Sequence, residues 1–289
     1  MQRTSLRQLS RRSAMQTISG ALALSPVSRI LAALAADDKL AYPLACAVDS
    51  EGAIYVVDLL LPGIWKVADG KATLFYRAEK KFREPLFHPR AIAAIAKDEL
   101  IVADTAARDI FLLKAGAPPK GLTGQRLDVP SAIVRVDETL YVADTERNAI
   151  WKGAIDGKWD KWVDIPAPRG LAANGEKQLL VVSGRDNILY KVASEGGKPE
   201  KVAQGEPTAY WSSVAVGEDG VPVVVDSYAK TLWRIEAASP KAWVKGEPMD
   251  HPVWIVRYRQ GFLVTDSRAK ALIEISAEGK ASVMAIEGK

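Results

Sequence analysis

Two histidines and two arginines are the residues of this chain best suited to chemistry, and each pair shares a local context. His88 and His251 are the only histidines, and each stands directly before a proline, Pro89 and Pro252. An imidazole titrates near neutrality, so such a pair could serve as general base and acid, or as two ligands of a metal ion. A loop-capping role before proline is the competing reading. Arg90 and Arg169 each follow a proline by one position. Two guanidinium forks converging on one place would hold a carboxylate or phosphate. Surface arginines paired with acids of neighbouring segments would give the same sequence. Asp250, next to His251, could orient the imidazole, although neighbours in an extended segment point to opposite sides.

These residues come together only if the chain repeats, and it does. Six runs of mostly β-branched and aliphatic residues end in Asp58, Asp104, Asp144, Ser183, Asp226 and Asp266, at spacings of 46, 40, 39, 43 and 40. A period near 40 built from short strands predicts a propeller in which each repeat is one four-stranded antiparallel blade. Ahead of each anchor sits a marker: Pro43, Pro89, Pro130, Pro168 and Pro252, with Trp211 in its place in the fifth repeat. Proline has no N–H to donate and suits the first residue of a strand. An inner strand follows, then the anchored strand. Six residues past the anchor stand Ile64, Ile110, Ile150, Leu189, Leu232 and Leu272; seven past it stand Trp65, Phe111, Trp151, Tyr190, Trp233 and Ile273. Consecutive apolar residues imply a strand covered on both faces, as when blades stack. Those aromatics are therefore read as inter-blade packing. A variable outer strand is expected at 72–76, 161–163, 199–202, 242–244 and 281–284, with Trp162 and Trp243 on the rim. Residues 38–42 could add an edge strand.

In this arrangement the loops entering the inner strands and the turns after the anchors open on one face, around the central channel. The residues flanking the markers predict a cluster at the channel mouth: Tyr42, His88, Arg90, Arg169, Tyr210, Trp211, Ser212 and His251, with Trp254 nearby. His88 and His251 are the catalytic candidates and the others ligand-binding candidates; no residue is assigned to a metal. The anchor Asp residues recur in five repeats. They are read as doing one local job, accepting hydrogen bonds from turn N–H groups.

Charge and cysteine bound the function class. The formal charge is +4, but residues 1–35 carry five Arg and no acid, which leaves 34 basic against 35 acidic residues. A balanced chain with no basic stripe excludes nucleic acid as a partner. Cys46 is the only cysteine and falls in register with Ile92, Ile133, Leu171, Val214 and Ile255, so it is read as a packing residue. Within residues 1–35, the basic start through Arg11-Arg12, the apolar stretch 14–27 and the small-residue run Ala33-Leu34-Ala35 suit an export signal. The paired arginines resemble the twin-arginine leader of bacterial exported proteins. The expectation is a periplasmic or extracellular protein, with residues 36–289 forming one all-β, six-bladed domain without stable membrane insertion.

The third repeat carries a resemblance. Leu140-Tyr141-Val142-Ala143-Asp144-Thr145-Glu146-Arg147-Asn148-Ala149-Ile150 resembles an NHL repeat, with partial matches at Asp104-Thr105 and Asn187-Ile188. The resemblance implies a six-bladed propeller of a kind used mostly for binding, with a subset that are enzymes. Distantly similar propellers of the gluconolactonase and regucalcin type hold a divalent metal with Glu, two Asn and Asp. Their first blade opens on Glu-Gly-Pro, where this chain has Ala41-Tyr42-Pro43-Leu44. A zinc lyase with three His cannot be assembled from two, and the marks of WD repeats are absent. The expected function is binding of a small anionic molecule, a peptide or a protein partner on the channel face. The alternative is a lactonase- or lyase-type enzyme acting on a sugar-acid-like or lactone substrate. The cofactor is left open, a divalent metal included.

Overall fold

Residues rich in Val, Ile, Leu and Tyr, punctuated by turns, form strands wherever they are described. The computed structural model describes residues 40–60, 63–79, 84–175, 177–206 and 209–287, and the export-signal reading of residues 1–35 lies outside them. Among the described residues the regular structure is 24 strands in six four-stranded sheets. The chain is an all-β, six-bladed propeller of antiparallel blades.

The inner strands are Pro43–Val48, Pro89–Ala96, Pro130–Val136, Pro168–Ala173, Trp211–Val216 and Pro252–Tyr258. The anchored strands are Ile54–Asp58, Glu99–Asp104, Thr139–Asp144, Gln178–Ser183, Pro222–Asp226 and Gly261–Asp266. The third strands run Gly63–Ala68, Asp109–Lys114, Ala149–Gly153, Ile188–Ala193, Thr231–Glu236 and Ala271–Ile275. Outer strands at Lys71–Arg77, Trp159–Asp164, Glu200–Gln204, Ser239–Lys245 and Ala281–Val283 overlap the expected segments. The second blade has only the two-residue outer strand Lys120–Gly121.

One register recurs in every blade. The marker pairs with the anchor, Pro43 with Asp58 through to Pro252 with Asp266, and Trp211 with Asp226. In each case the ladder then skips one residue of the inner strand. That extra residue forms a β-bulge, which bends the strand and re-aims a side chain.

The anchor Asp locks this bulge in place. In blade 3, the buried Asp144 carboxylate accepts the N–H groups of Asp128 at 2.8 Å, Val129 at 3.0 Å and Arg147 at 3.2 Å. In blade 6, Asp266 accepts those of Asp250, His251, Arg268 and Ala269. Asp58, Asp104 and Asp226 likewise bind the incoming N–H of Tyr42, His88 and Tyr210. The return contact is present in all six blades: the N–H after the anchor donates to the carbonyl just before the marker, from Leu59 to Tyr42 and on to Ser267 with His251. Blade 4 solves the same problem differently. Ser183 Oγ donates to the Pro166 carbonyl at 2.5 Å, and the Ala167 N–H goes to Asn148 Oδ1 of blade 3 at 2.9 Å.

Neighbouring blades are joined by apolar faces and a few polar links. Trp65 and Phe111 are buried in the main core, and Trp151 and Tyr190 pack against it. The single Tyr55 O–H lies within hydrogen-bond reach of both Asp49 of its own blade, at 3.0 Å, and Asp98 of blade 2, at 2.9 Å, where Lys66 also pairs with Asp98 at 2.6 Å. Cys46 is fully buried, and burial pushes its thiol pKa up to about 12, as a packing residue requires. The Trp254 indole donates to the Cys46 carbonyl at 3.0 Å across the junction of blades 6 and 1. The ring closes from the C-terminal side, where Glu287 bridges Lys71 of the first outer strand. Residues 40–42 form no edge strand.

If the anchors hold the bulges, removing one strands several buried N–H groups. Asp144→Ala is expected to lower stability by about 3 kcal/mol, a fall of roughly 10 °C in Tm, with Asp144→Asn between it and the native protein. Thermal denaturation followed by circular dichroism reads this; an unchanged Tm in Asp144→Ala would contradict it.

Candidate functional site

The six bulge residues are Leu44, Arg90, Ser131, Arg169, Ser212 and Val253, one from each blade in order. All six line one cavity of about 540 Å³ at the channel mouth. The shared register thus becomes a ring of side chains. Blades 2 to 5 present Arg, Ser, Arg and Ser, and blades 6 and 1 present Val and Leu. Around this ring stand Tyr42, Tyr210 and His251 from the entry loops, with Thr105, Thr145 and Ser227 from the turns after the anchors. Trp254 forms part of the wall, and also lines a second cavity at the far end of the channel.

Among the described residues no carboxylate side chain lines the mouth cavity. The anchor Asp residues nearby are buried, and their oxygens are turned to backbone N–H groups. Among the described residues neither Arg90 nor Arg169 has an acidic partner within ion-pair distance, whereas most arginines of the outer surface are paired. The Arg169 guanidinium lies 4.2 Å over the Tyr210 ring, and its Nη1 is buried with no hydrogen-bond partner. Gly184 makes that pose possible. A Cβ at Gly184 would fall 2.2 Å from Arg169 Nε. The repeat break at Ser183-Gly184 therefore coincides with the seat of the more enclosed arginine.

His251 is half-buried in the wall. Burial pushes its pKa below the ordinary 6.5, and the nearby Arg268 cation adds to the shift, so the ring is held neutral at pH 7. His88 does not line the cavity. It is exposed, and its ring stacks on Phe87 at 4.7 Å and 3°. The two histidines share a register but not a site. Asp250 is engaged by Lys230 at 2.5 Å. Tyr42, Arg90, Arg169, Tyr210, Ser212 and Trp254 all line the mouth, while Trp211 is 1% exposed and faces an adjoining cavity instead.

Four hydroxyl residues of the wall escaped the sequence reading: Ser131, Thr105, Thr145 and Ser227. The signal was available, since Thr or Ser follows the anchor Asp at Thr105, Thr145, Ser227 and Ser267. Thr145 Oγ1 donates to the Pro168 carbonyl at 2.7 Å and Ser131 Oγ to the same oxygen at 2.9 Å. Ser227 Oγ donates to Ser212 Oγ at 3.1 Å.

A divalent cation of the gluconolactonase type needs carboxylate and carbonyl oxygens. Among the described residues the cavity wall has no Asp, Glu or Asn side chain, and there is no cluster of three or more His, Cys, Asp and Glu. The donor set does not fit that ion.

No family model matches this sequence, and no curated protein matches it significantly. Solved structures do. Virginiamycin B lyase from Staphylococcus aureus superposes with a TM-score of 0.67 at 16% identity, covering 88% of this chain and 87% of that one. A gluconolactonase from Xanthomonas campestris gives 0.68 at 14% identity, over 81% and 86%. A chain of the nidogen/laminin complex gives 0.67 at 15%, over 78% and 90%. At these identities the likeness establishes the fold.

The burial of His251 can be tested by titration. In NMR of the full chain, one imidazole is expected to titrate below 6.5 and to vanish in His251→Asn. A folded pKa below the unfolded one means that this group's contribution is complete above about pH 6.5 and is lost as pH falls. The native protein should therefore lose stability relative to His251→Asn on acidification below that value. A His251 pKa at or above 6.5 would contradict the burial argument.

Proposed function

We propose that this chain is an exported propeller that binds a small anionic molecule in the channel-mouth cavity. The observation that carries the reading is a wall with two arginines, a histidine and several hydroxyls, and among the described residues no carboxylate to neutralise them. A guanidinium left without an acidic partner in a partly buried site is an open binding position for a carboxylate or phosphate. The leader-like segment at residues 1–35 supports export of the domain that follows it.

A second reading, a lactonase- or lyase-type enzyme, is favoured by one specific feature. His251 is a cavity imidazole kept neutral by burial, as a general base must be, and Arg169 could stabilise a developing oxyanion in the same cavity. The proteins of similar fold named above include a lyase and a gluconolactonase. On this reading His251→Asn abolishes turnover while leaving anion binding in place.

Calorimetry of the mature protein with inorganic phosphate and malonate tests the binding proposal. Dissociation constants of about 1 mM or tighter are expected, weakening as salt is raised. The double variant Arg90→Gln/Arg169→Gln should bind at least roughly tenfold more weakly, with an unchanged circular dichroism spectrum. Equal affinity in that variant, or no binding of either anion by the native protein, would overturn the proposal.

A further inference from the structure

Blade 5 departs from the repeat at the marker and in the turn after its anchor, and both departures face one pocket. The marker proline is replaced by Trp211, and the second residue after the anchor is Tyr228, which is 66% exposed. A cavity of about 380 Å³ lies between them, lined by Trp211, Tyr228, Trp233 and Pro240, with the exposed Glu206 and the buried Asp226, whose carboxylate is turned to backbone N–H groups, also in its wall. Gly205 stands in the same wall, where a Cβ would lie 2.7 Å from the Trp211 indole, so a side chain there would displace that ring. A single aromatic ring needs on the order of 150 Å³, so the pocket has room for one. The Trp233 indole N–H is buried without a partner, but so are those of Trp65 and Trp151 at the same register; this feature does not mark the pocket. What marks it is its aromatic wall and its neighbour.

That neighbour is the anionic-ligand cavity. Tyr210 lines the mouth with Arg169 over its ring at 4.2 Å, and Tyr228 stacks against the same ring at 4.6 Å and 28°. The Tyr210–Tyr228 pair is thus a partition, with a guanidinium on the polar side and an exposed aromatic face on the other. The Tyr210 ring stands between the guanidinium and Tyr228, at 4.2 Å from one and 4.6 Å from the other. We infer that the ligand is an aryl-substituted carboxylic acid, its carboxylate at Arg169 and its ring against Tyr228 in the blade-5 pocket. This rests on the anion-binding reading above and adds a ligand class to it. An aromatic ring packs offset or edge-on against tyrosine and tryptophan, which favours it over an alkyl group of equal size.

The test uses calorimetry on the mature protein with three probes: 4-phenylbutyrate, hexanoate and 4-phenylbutan-1-ol. The native protein should bind phenylbutyrate roughly tenfold more tightly than hexanoate, and the alcohol more weakly than either acid. In Tyr228→Ala, whose side chain is largely in solvent, the preference for phenylbutyrate over hexanoate should fall to about one. In Arg169→Gln both acids should weaken together. If neither acid binds the native protein, the anion-binding reading fails and takes this inference with it. If both acids bind alike, or Tyr228→Ala keeps the preference, only this inference fails. If Val253→Asn removes the preference and Tyr228→Ala does not, the ring lies against blades 6 and 1 inside the mouth, and the blade-5 assignment is wrong.

Discussion

The structure depends on a carboxylate that never touches the ligand. In five blades a buried Asp accepts the N–H groups of the segment entering the inner strand and of the turn leaving the anchored one. A buried carboxylate without such partners would be strongly destabilising, so the fold must bring the entry segment to it. With the reciprocal carbonyl contact, that segment is held at two points. The geometry then forces one residue out of the ladder, and that residue faces the channel mouth. This constraint, met by Asp in five blades and by Ser183 with Asn148 in the fourth, produces a ring of six variable side chains on a recurring backbone. Function can change at the bulge positions without disturbing the blades.

The chemistry of the mouth follows from where acids are spent. The chain is nearly neutral outside its first 35 residues, yet among the described residues the charged side chains of the cavity wall, Arg90 and Arg169, are both basic. The Asp residues closest to it are consumed by backbone donors, and Asp250 and Asp128 of the entry loops are held by Lys230 and by Arg108 and Arg147. Arg169 is stabilised instead by the Tyr210 face, an interaction that leaves its N–H fork free to receive an anion. The unpaired arginines thus reflect an arrangement of the loops, and not an excess of positive charge over the whole molecule.

Most of the fold was legible in the sequence because a repeat reports the same physics six times. The anchor spacing, the marker proline and the two apolar residues of the third strand each depend on a local rule, and the blades form where those rules place them. The mouth was legible to the extent that its residues share the bulge register: Arg90, Arg169, Ser212, Tyr42, Tyr210 and His251 all arrive there. Shared register did not suffice for His88, whose ring finds Phe87 instead, nor for Trp211, which turns into the blade interface. Which side of a strand entry a side chain takes is decided by contacts between blades, and these have no period in the chain. The hydroxyls after the anchors went unread for a different reason: Thr and Ser beside an Asp look like ordinary turn residues until the turn is seen to border a cavity.

The central claim is that the anchor carboxylates hold the entry segments rigidly enough to preform the mouth. Amide hydrogen exchange of the protein measures this directly. The account predicts strong protection at the N–H groups of Tyr42, His88, Val129, Tyr210 and His251, comparable with the interior strands although these residues belong to loops. Exchange at those amides as fast as in an unstructured peptide would contradict it.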